Sequence, residues 1–102
     1  MKVAVVSTDG INVNEHFGKA ERFLIYELDA NSTSLIEERK STPLSVNDLQ
    51  HSFNPERFKN VVNVIKDCKK VYITQIGDVP AEKLKAENIE PVIFDGPIKD
   101  IK

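Results

Sequence analysis

The chain is poor in the residues that hold metals or crosslinks. One cysteine among 102 residues excludes an internal disulfide. It equally excludes the four-cysteine set that retains a permanent iron–sulfur cluster. Histidine occurs only twice. No apolar stretch approaches the roughly 20 residues needed to span a bilayer. The opening MKVAVVS is too short for an export signal and passes at once into polar residues, so the expected location is the cytoplasm. Charge of one sign is scarce as well: the net value is −2, with acids and bases interleaved in EERK and KLKAE. Phosphate backbones demand clustered Lys and Arg, so a nucleic-acid surface is not expected.

What is present is the mixture of a folded domain, 40% apolar and 29% charged. The length suits a single domain over residues 1–102. KVAVVS, residues 2–7, is a continuous β-branched run, the pattern of a strand covered on both faces, and Thr8-Asp9-Gly10 breaks it. RFLIYEL, residues 22–28, reads as a second strand. After a polar turn, SLIEERKS returns antiparallel, with charges that suit a sheet edge. A polar connection over residues 41–54 carries His51. Asn54-Pro55-Glu56 supplies the cap, first-position proline and acid of a helix start. Phe58, Val61, Val62, Ile65 and Cys68 then share one apolar face. KVYITQI, residues 70–76, is a further buried-type strand. Residues 77–80 open a second helix, Asn88 is a left-handed stop, and PVIF is the last strand before a short charged tail. The order is β-β-β-α-β-α-β. Helix-linked strands run parallel and the first three form a meander, so a mixed five-stranded sheet with helices on its faces is expected.

The stretch NEHFGKAERF places His16 between two strands, beside Phe17 and Gly18. Either His16 is a loop residue next to a core-filling Phe17, or the loop presents it to a ligand while Gly18 allows a tight turn. One histidine does not make a metal site. Cys68 reads as a small buried hydrophobe with no cation to activate it. Gly77-Asp78, at a strand-to-helix junction, could meet an anion, but it lacks the repeated glycines of a nucleotide loop. Asp9, Asp78 and Asp95 fall at strand ends, where Asp is ordinary turn chemistry. A meander followed by α-β-α-β is also how ribonuclease H-like domains begin. The first strand here holds no acid, so two-metal nuclease chemistry is rejected. No acid–base–nucleophile set can be assembled, and an enzyme ranks last among the readings.

The opening KVAVVSTDGINVNEHFGKAERFLIYELD resembles the dinitrogenase iron–molybdenum cofactor biosynthesis family, the NifX/NafY-like domain that also ends NifB proteins. The first strand closing at Ser7, Gly10, the HFG triplet with Ala20 and the aromatic strand FLIYE carry the likeness. The later DC, Ile76-Gly77 and KLKAENI extend it over nearly the whole chain. The resemblance implies a three-layer α/β/α fold with a ribonuclease H-like mixed sheet, although the tail GPIKDIK is shorter than the terminal helix of many relatives. It implies binding of the iron–molybdenum cofactor or its iron–sulfur precursor as cargo, with cofactor-assembly proteins as partners and no membrane. His16 is the nominated metal ligand. Asn14, Phe17 and Gly18 of its loop, and Ile76 and Gly77 of the later turn, are the remaining nominated cofactor-binding residues. Lys19 or Arg22 would offset the negative charge of the cargo. The leading expectation is therefore a non-enzymatic cluster carrier. The alternative is a regulatory or small-anion module that uses the same cleft.

Overall fold

The computed structural model describes residues 1–41 and 55–101. His51 and the expected cap Asn54 lie outside the described residues. In chain order the elements are β1 (Lys2–Val5), β2 (Asn12–Val13), a 3-10 turn (Phe17–Lys19), β3 (Arg22–Leu28) and β4 (Thr33–Lys40). They are followed by α1 (Pro55–Ile65), β5 (Lys70–Ile73), α2 (Asp78–Ala86), β6 (Glu90–Ile93), β7 (Gly96–Pro97) and a second 3-10 turn (Ile98–Asp100). The main sheet has five strands in the order β4-β3-β1-β5-β6. β1 pairs antiparallel with β3 and parallel with β5, β4 antiparallel with β3, and β6 parallel with β5. The expected mixed sheet and its ribonuclease H-like topology are present.

β1 lies at the centre, which is why its sequence does not alternate. Val3, Ala4 and Val5 are wholly buried because both faces of the sheet are covered. Ala4, Ile25, Val71 and Ile73 point to one face, where they pack with Phe58, Val61, Val62 and Ile65 of α1 and with Leu84 of α2. Val3, Val5, Leu24, Tyr26 and Tyr72 point to the other.

The expected layering needs one correction. Both α-helices pack on the same face, and the opposite face carries none among the described residues. The cause lies in the strand order. The chain crosses from β4 to β5 and then from β5 to β6, moving the same way along the sheet both times. Two right-handed crossovers made in one direction place both helices on one side. The second face is closed by a short β2–β7 ribbon and by Ile98 and Ile101 of the tail. The tail read from sequence as charged is therefore half core.

Local capping follows the residues. α2 ends in a left-handed Asn88 (φ 64°), with the N–H of Ile89 donating to the Leu84 carbonyl at 2.9 Å and the N–H of Asn88 to that of Lys85 at 3.0 Å. Leu84 and Ile89 are both buried, completing the hydrophobic part of that motif. At the other end of the sheet, Arg39 of β4 clamps the C-terminal side of α1. Its guanidinium donates to both Asp67 oxygens at 2.7 and 3.0 Å and to the Val64 carbonyl at 2.7 Å.

Candidate functional site

The carboxyl ends of β1, β5 and β6 share one end of the sheet, a common place for ligands in α/β folds. The segment leaving β1 is knotted there by its own polar side chains. Asp9 Oδ1 accepts from the N–H groups of Ile11 (2.8 Å) and Asn12 (2.9 Å) and from the Ser7 hydroxyl (3.1 Å). These donors favour the carboxylate and hold Asp9 well below the usual carboxylate range. Gly10 turns the chain at φ 76°, where its N–H donates to Ser7 Oγ at 2.9 Å. Asp9 thus shapes a turn, as its position at a strand end suggests.

Asn14 closes the next part of the loop. Its Oδ1 accepts the Thr8 N–H at 2.8 Å and its Nδ2 donates to Thr8 Oγ1 at 2.9 Å. Of the nominated residues, Asn14 is therefore the one whose side chain already has both ends engaged. Its placement makes it a brace for the loop.

His16 follows, and two backbone hydrogen bonds fix its position. The Phe17 N–H donates to the Gln75 carbonyl at 2.9 Å, and the Thr74 N–H donates to the Glu15 carbonyl at 3.1 Å. The loop is thereby stitched to the chain leaving β5. This stitch ties residues 15–17 to residues 74–75, directly before the nominated Ile76 and Gly77. Phe17 anchors the loop from beneath. It is 1% exposed and packs at 6.2 Å, centroid to centroid, against Phe23. Its ring belongs to the core, so cargo could reach only its backbone. The His16 N–H donates to Glu15 Oε1 at 2.8 Å. The imidazole itself is half-buried and has no hydrogen-bond partner among the described residues.

Gly18 lies inside the 3-10 turn, half-buried, and Gly77 is the extended residue preceding α2 (φ −71°). A Cβ on Gly77 would meet the Pro80 ring at 3.4 and 3.8 Å, ordinary contact, and at this φ the backbone does not demand glycine. Ile76 is half-buried against the helix-side core. Sequence reasoning missed Glu15, Thr74 and Gln75 as positioning elements. Glu15 carries a local signal, an acid directly before the N-terminus of a turn. The pairing with residues 74–75 carries none.

An open groove of about 660 Å³ runs beside the loop, bounded by Ser7, Thr8, Glu15, Lys19, Arg22, Glu38 and Lys40 among others. Arg22 is committed to its walls, donating to the Thr8 carbonyl at 3.1 Å and to Glu38 at 3.2 Å. Lys19 and Lys40 are exposed and have no such bonds among the described residues. Of the two cations named for offsetting a negative cargo, Lys19 is the one left available.

Cys68 lies far along the chain from this loop, in the turn after α1, 2% exposed. Burial first, and then the Asp67 charge, push its thiol up to about 11, which makes it a poor nucleophile and a poor ligand at neutral pH. Among the described residues no three His, Cys, Asp or Glu side chains gather into a metal-holding group. Among the described residues the donor set at the loop is thus one imidazole with neighbouring backbone and lysine. It suits transient contact with a pre-formed, negatively charged group better than permanent coordination of a bare ion.

Comparison with known proteins sets this geometry in a family. The model of the dinitrogenase iron-molybdenum cofactor family matches residues 1–101. The FeMo cofactor biosynthesis protein NifB of Klebsiella pneumoniae is 36% identical over 93 residues, which is 89% of this chain and 20% of that protein. NifB of Chlorobaculum tepidum is 32% identical over 100 residues, 96% of this chain and 22% of its own length. Protein NifX of Herbaspirillum seropedicae is 28% identical over 90% of this chain and 60% of its own length. The chain therefore spans about a fifth of the NifB relatives it matches. Among solved structures, the crystal structure of PH0822 superposes with a TM-score of 0.68 at 23% identity, covering 98% of this chain and 85% of that one. The NMR structure of TM1290 from Thermotoga, of the DUF35 family, gives 0.60 at 24% identity over 94% and 78% of the two chains. These two likenesses support the fold. The family-model match over residues 1–101 carries the assignment: the chain belongs to the dinitrogenase iron-molybdenum cofactor family.

Proposed function

We propose that residues 1–102 form a NifX-like, non-enzymatic carrier domain that holds the iron–molybdenum cofactor, or an iron–sulfur precursor of it, as cargo. The observation that carries the reading is the state of His16. A half-buried imidazole without a hydrogen-bond partner among the described residues is held by a stitched loop at the carboxyl end of the parallel strands. An imidazole so placed can offer a nitrogen lone pair to a metal of the cargo without first breaking another bond. Lys19, at the end of the same turn, offsets negative charge on the cargo, and the backbone around Gly18 and Gly77 forms its rim. A sparse donor set favours release to cofactor-assembly proteins, which a complete ligand cage would oppose. NifB and NifX as relatives support this cargo class.

The test is an anaerobic titration of the apo-protein with isolated iron–molybdenum cofactor, followed by visible absorption and co-elution. Saturable binding that His16→Ala weakens at least tenfold is expected. No binding by a well-folded wild-type protein overturns the reading. The groove with its two available lysines favours one alternative, a small-anion module. It would appear as His16-independent binding of a polycarboxylate that Lys19→Ala weakens.

A further inference from the structure

His16 is joined to the chain by two peptide groups, and every polar atom of both is engaged. In the peptide before it, the Glu15 carbonyl accepts the Thr74 N–H at 3.1 Å, and the His16 N–H donates to Glu15 Oε1 at 2.8 Å. In the peptide after it, the Phe17 N–H donates to the Gln75 carbonyl at 2.9 Å, and the His16 carbonyl accepts the Lys19 N–H at 3.1 Å. Two planar groups held at both edges fix the dihedral angles between them, here φ −76° and ψ 147°. The imidazole keeps only its side-chain torsions. Three of these bonds run from backbone to backbone. The remaining one is made by the half-buried side chain of Glu15, which reaches round to the N–H of the next residue.

That bond decides whether the peptide ahead of His16 is pinned at one edge or at two. Without it the peptide pivots on the Glu15–Thr74 bond, φ of His16 loosens, and the imidazole swings with it. Aim matters most where donors are few, because no second ligand corrects a misplaced histidine. Ordering the histidine beforehand also spares the complex that cost at the moment of binding. We propose that Glu15 is a positioning residue of the cargo site: its carboxylate holds the His16 backbone so that the imidazole is aimed before the cargo arrives. Glu15 acts through His16 and needs no contact with the cargo itself. This rests on the carrier reading for the identity of the cargo.

The experiment titrates isolated iron–molybdenum cofactor anaerobically into the wild type, Glu15→Ala, Glu15→Gln, His16→Ala and the double variant Glu15→Ala, His16→Ala. Amide hydrogen exchange of each apo-protein is read beside it by NMR. Glu15→Ala should stay folded and bind about fivefold more weakly, the worth of one hydrogen bond. Glu15→Gln keeps an acceptor oxygen at the same reach and should bind at least as tightly as the wild type. In the His16→Ala background, Glu15→Ala should cost nothing further, because its effect passes through the imidazole. The His16 amide should exchange about tenfold faster in Glu15→Ala, while the Phe17 amide, bonded to Gln75, keeps its rate. Unchanged affinity in Glu15→Ala, a glutamine variant as weak as the alanine one, or losses that add in the double variant overturn the positioning role and leave the carrier reading standing. A His16 amide that exchanges equally fast in wild type and Glu15→Ala overturns the pin itself. No binding by the wild type overturns the carrier reading, and with it the role of Glu15 toward this cargo.

Discussion

Phe17→Ala should cost far more than any other change in the HFG segment. Phe17 is 1% exposed and is the only ring of that loop in the core, lying between Ala20, Phe23 and the helix-side residues of the sheet. Deleting a buried phenylalanine costs about 3–5 kcal/mol, from lost transfer free energy and the cavity left behind. The tilted Phe17–Phe23 pair, with rings inclined at 52°, adds about 1 kcal/mol to the upper end of that range. A domain of this size has roughly 5–15 kcal/mol in total, so the variant sits near the edge of stability. The assay is urea unfolding followed by far-UV circular dichroism. With a slope of about 1.5 kcal/mol/M, a loss of about 3 kcal/mol lowers the midpoint by about 2 M. Phe17→Leu fills most of the space and should cost only about 1–1.5 kcal/mol. A midpoint shift below about 0.5 M for the alanine variant would mean that Phe17 does not anchor the loop. The positioning of His16 would then have to come from the two backbone bonds alone.

Three further outcomes follow from the geometry. The Asp67 carboxyl is held well below the usual range, chiefly by the Arg39 hydrogen bonds and further by Lys2. A carboxyl with a lower pKa folded than unfolded adds stability above its unfolded value, near ~4, and loses it as pH falls through the folded value. Asp67→Asn should therefore lower the urea midpoint at pH 6 and by clearly less at pH 2, where part of the contribution is already lost; an equal loss at both would refute the clamp. At pH 8 Cys68 should react with a maleimide about a hundredfold more slowly in the native protein than in urea, because burial removes both access and thiolate. Labelling at the denatured rate would contradict its burial. Asn88→Ala should cost about 1 kcal/mol and Asn88→Gly almost nothing, since Asn88 sits at φ 64°. Equal thermal midpoints for the two variants would place the stop elsewhere.

The parts of the fold that sequence discloses are those with a local period. The face Phe58, Val61, Val62 and Ile65 repeats every three to four residues and is buried as that period requires. RFLIYEL matches β3 residue for residue because its aromatic and β-branched content has no competing helical period. Cys68 falls on the expected face, although the helix ends at Ile65 and the following turn delivers it to the core. The common face of the two helices is hidden, because it depends on strand order, which residues report only through distant pairing. The β2–β7 ribbon is two residues on each side and has no period at all. In the tail, Lys99 and Asp100 mask Ile98 and Ile101, whose spacing of three was a readable sign of burial. At the candidate site, the HFG motif marks His16 and its Phe17 plug. The stitch to residues 74–75 joins segments far apart in sequence, so nothing local announces it.

The asymmetry of the two sheet faces has a consequence for how the molecule is made. The helix-side cluster is supplied by segments between residues 4 and 89. The opposite cluster is finished only by Ile98 and Ile101, which pack on Val3 and Val5 from the first strand. A nascent chain can assemble the strands and both helices while that second face still lacks its closing residues. Until residue 101 has emerged from the ribosome, Val3, Val5, Leu24 and Tyr72 remain under an incomplete cover. The final contacts join segments almost a whole chain apart, the slowest kind to find one another. During that interval the intermediate exposes an apolar face that a chaperone could grip, while the helix-side core, with Phe17 beneath the His16 loop, is already closed.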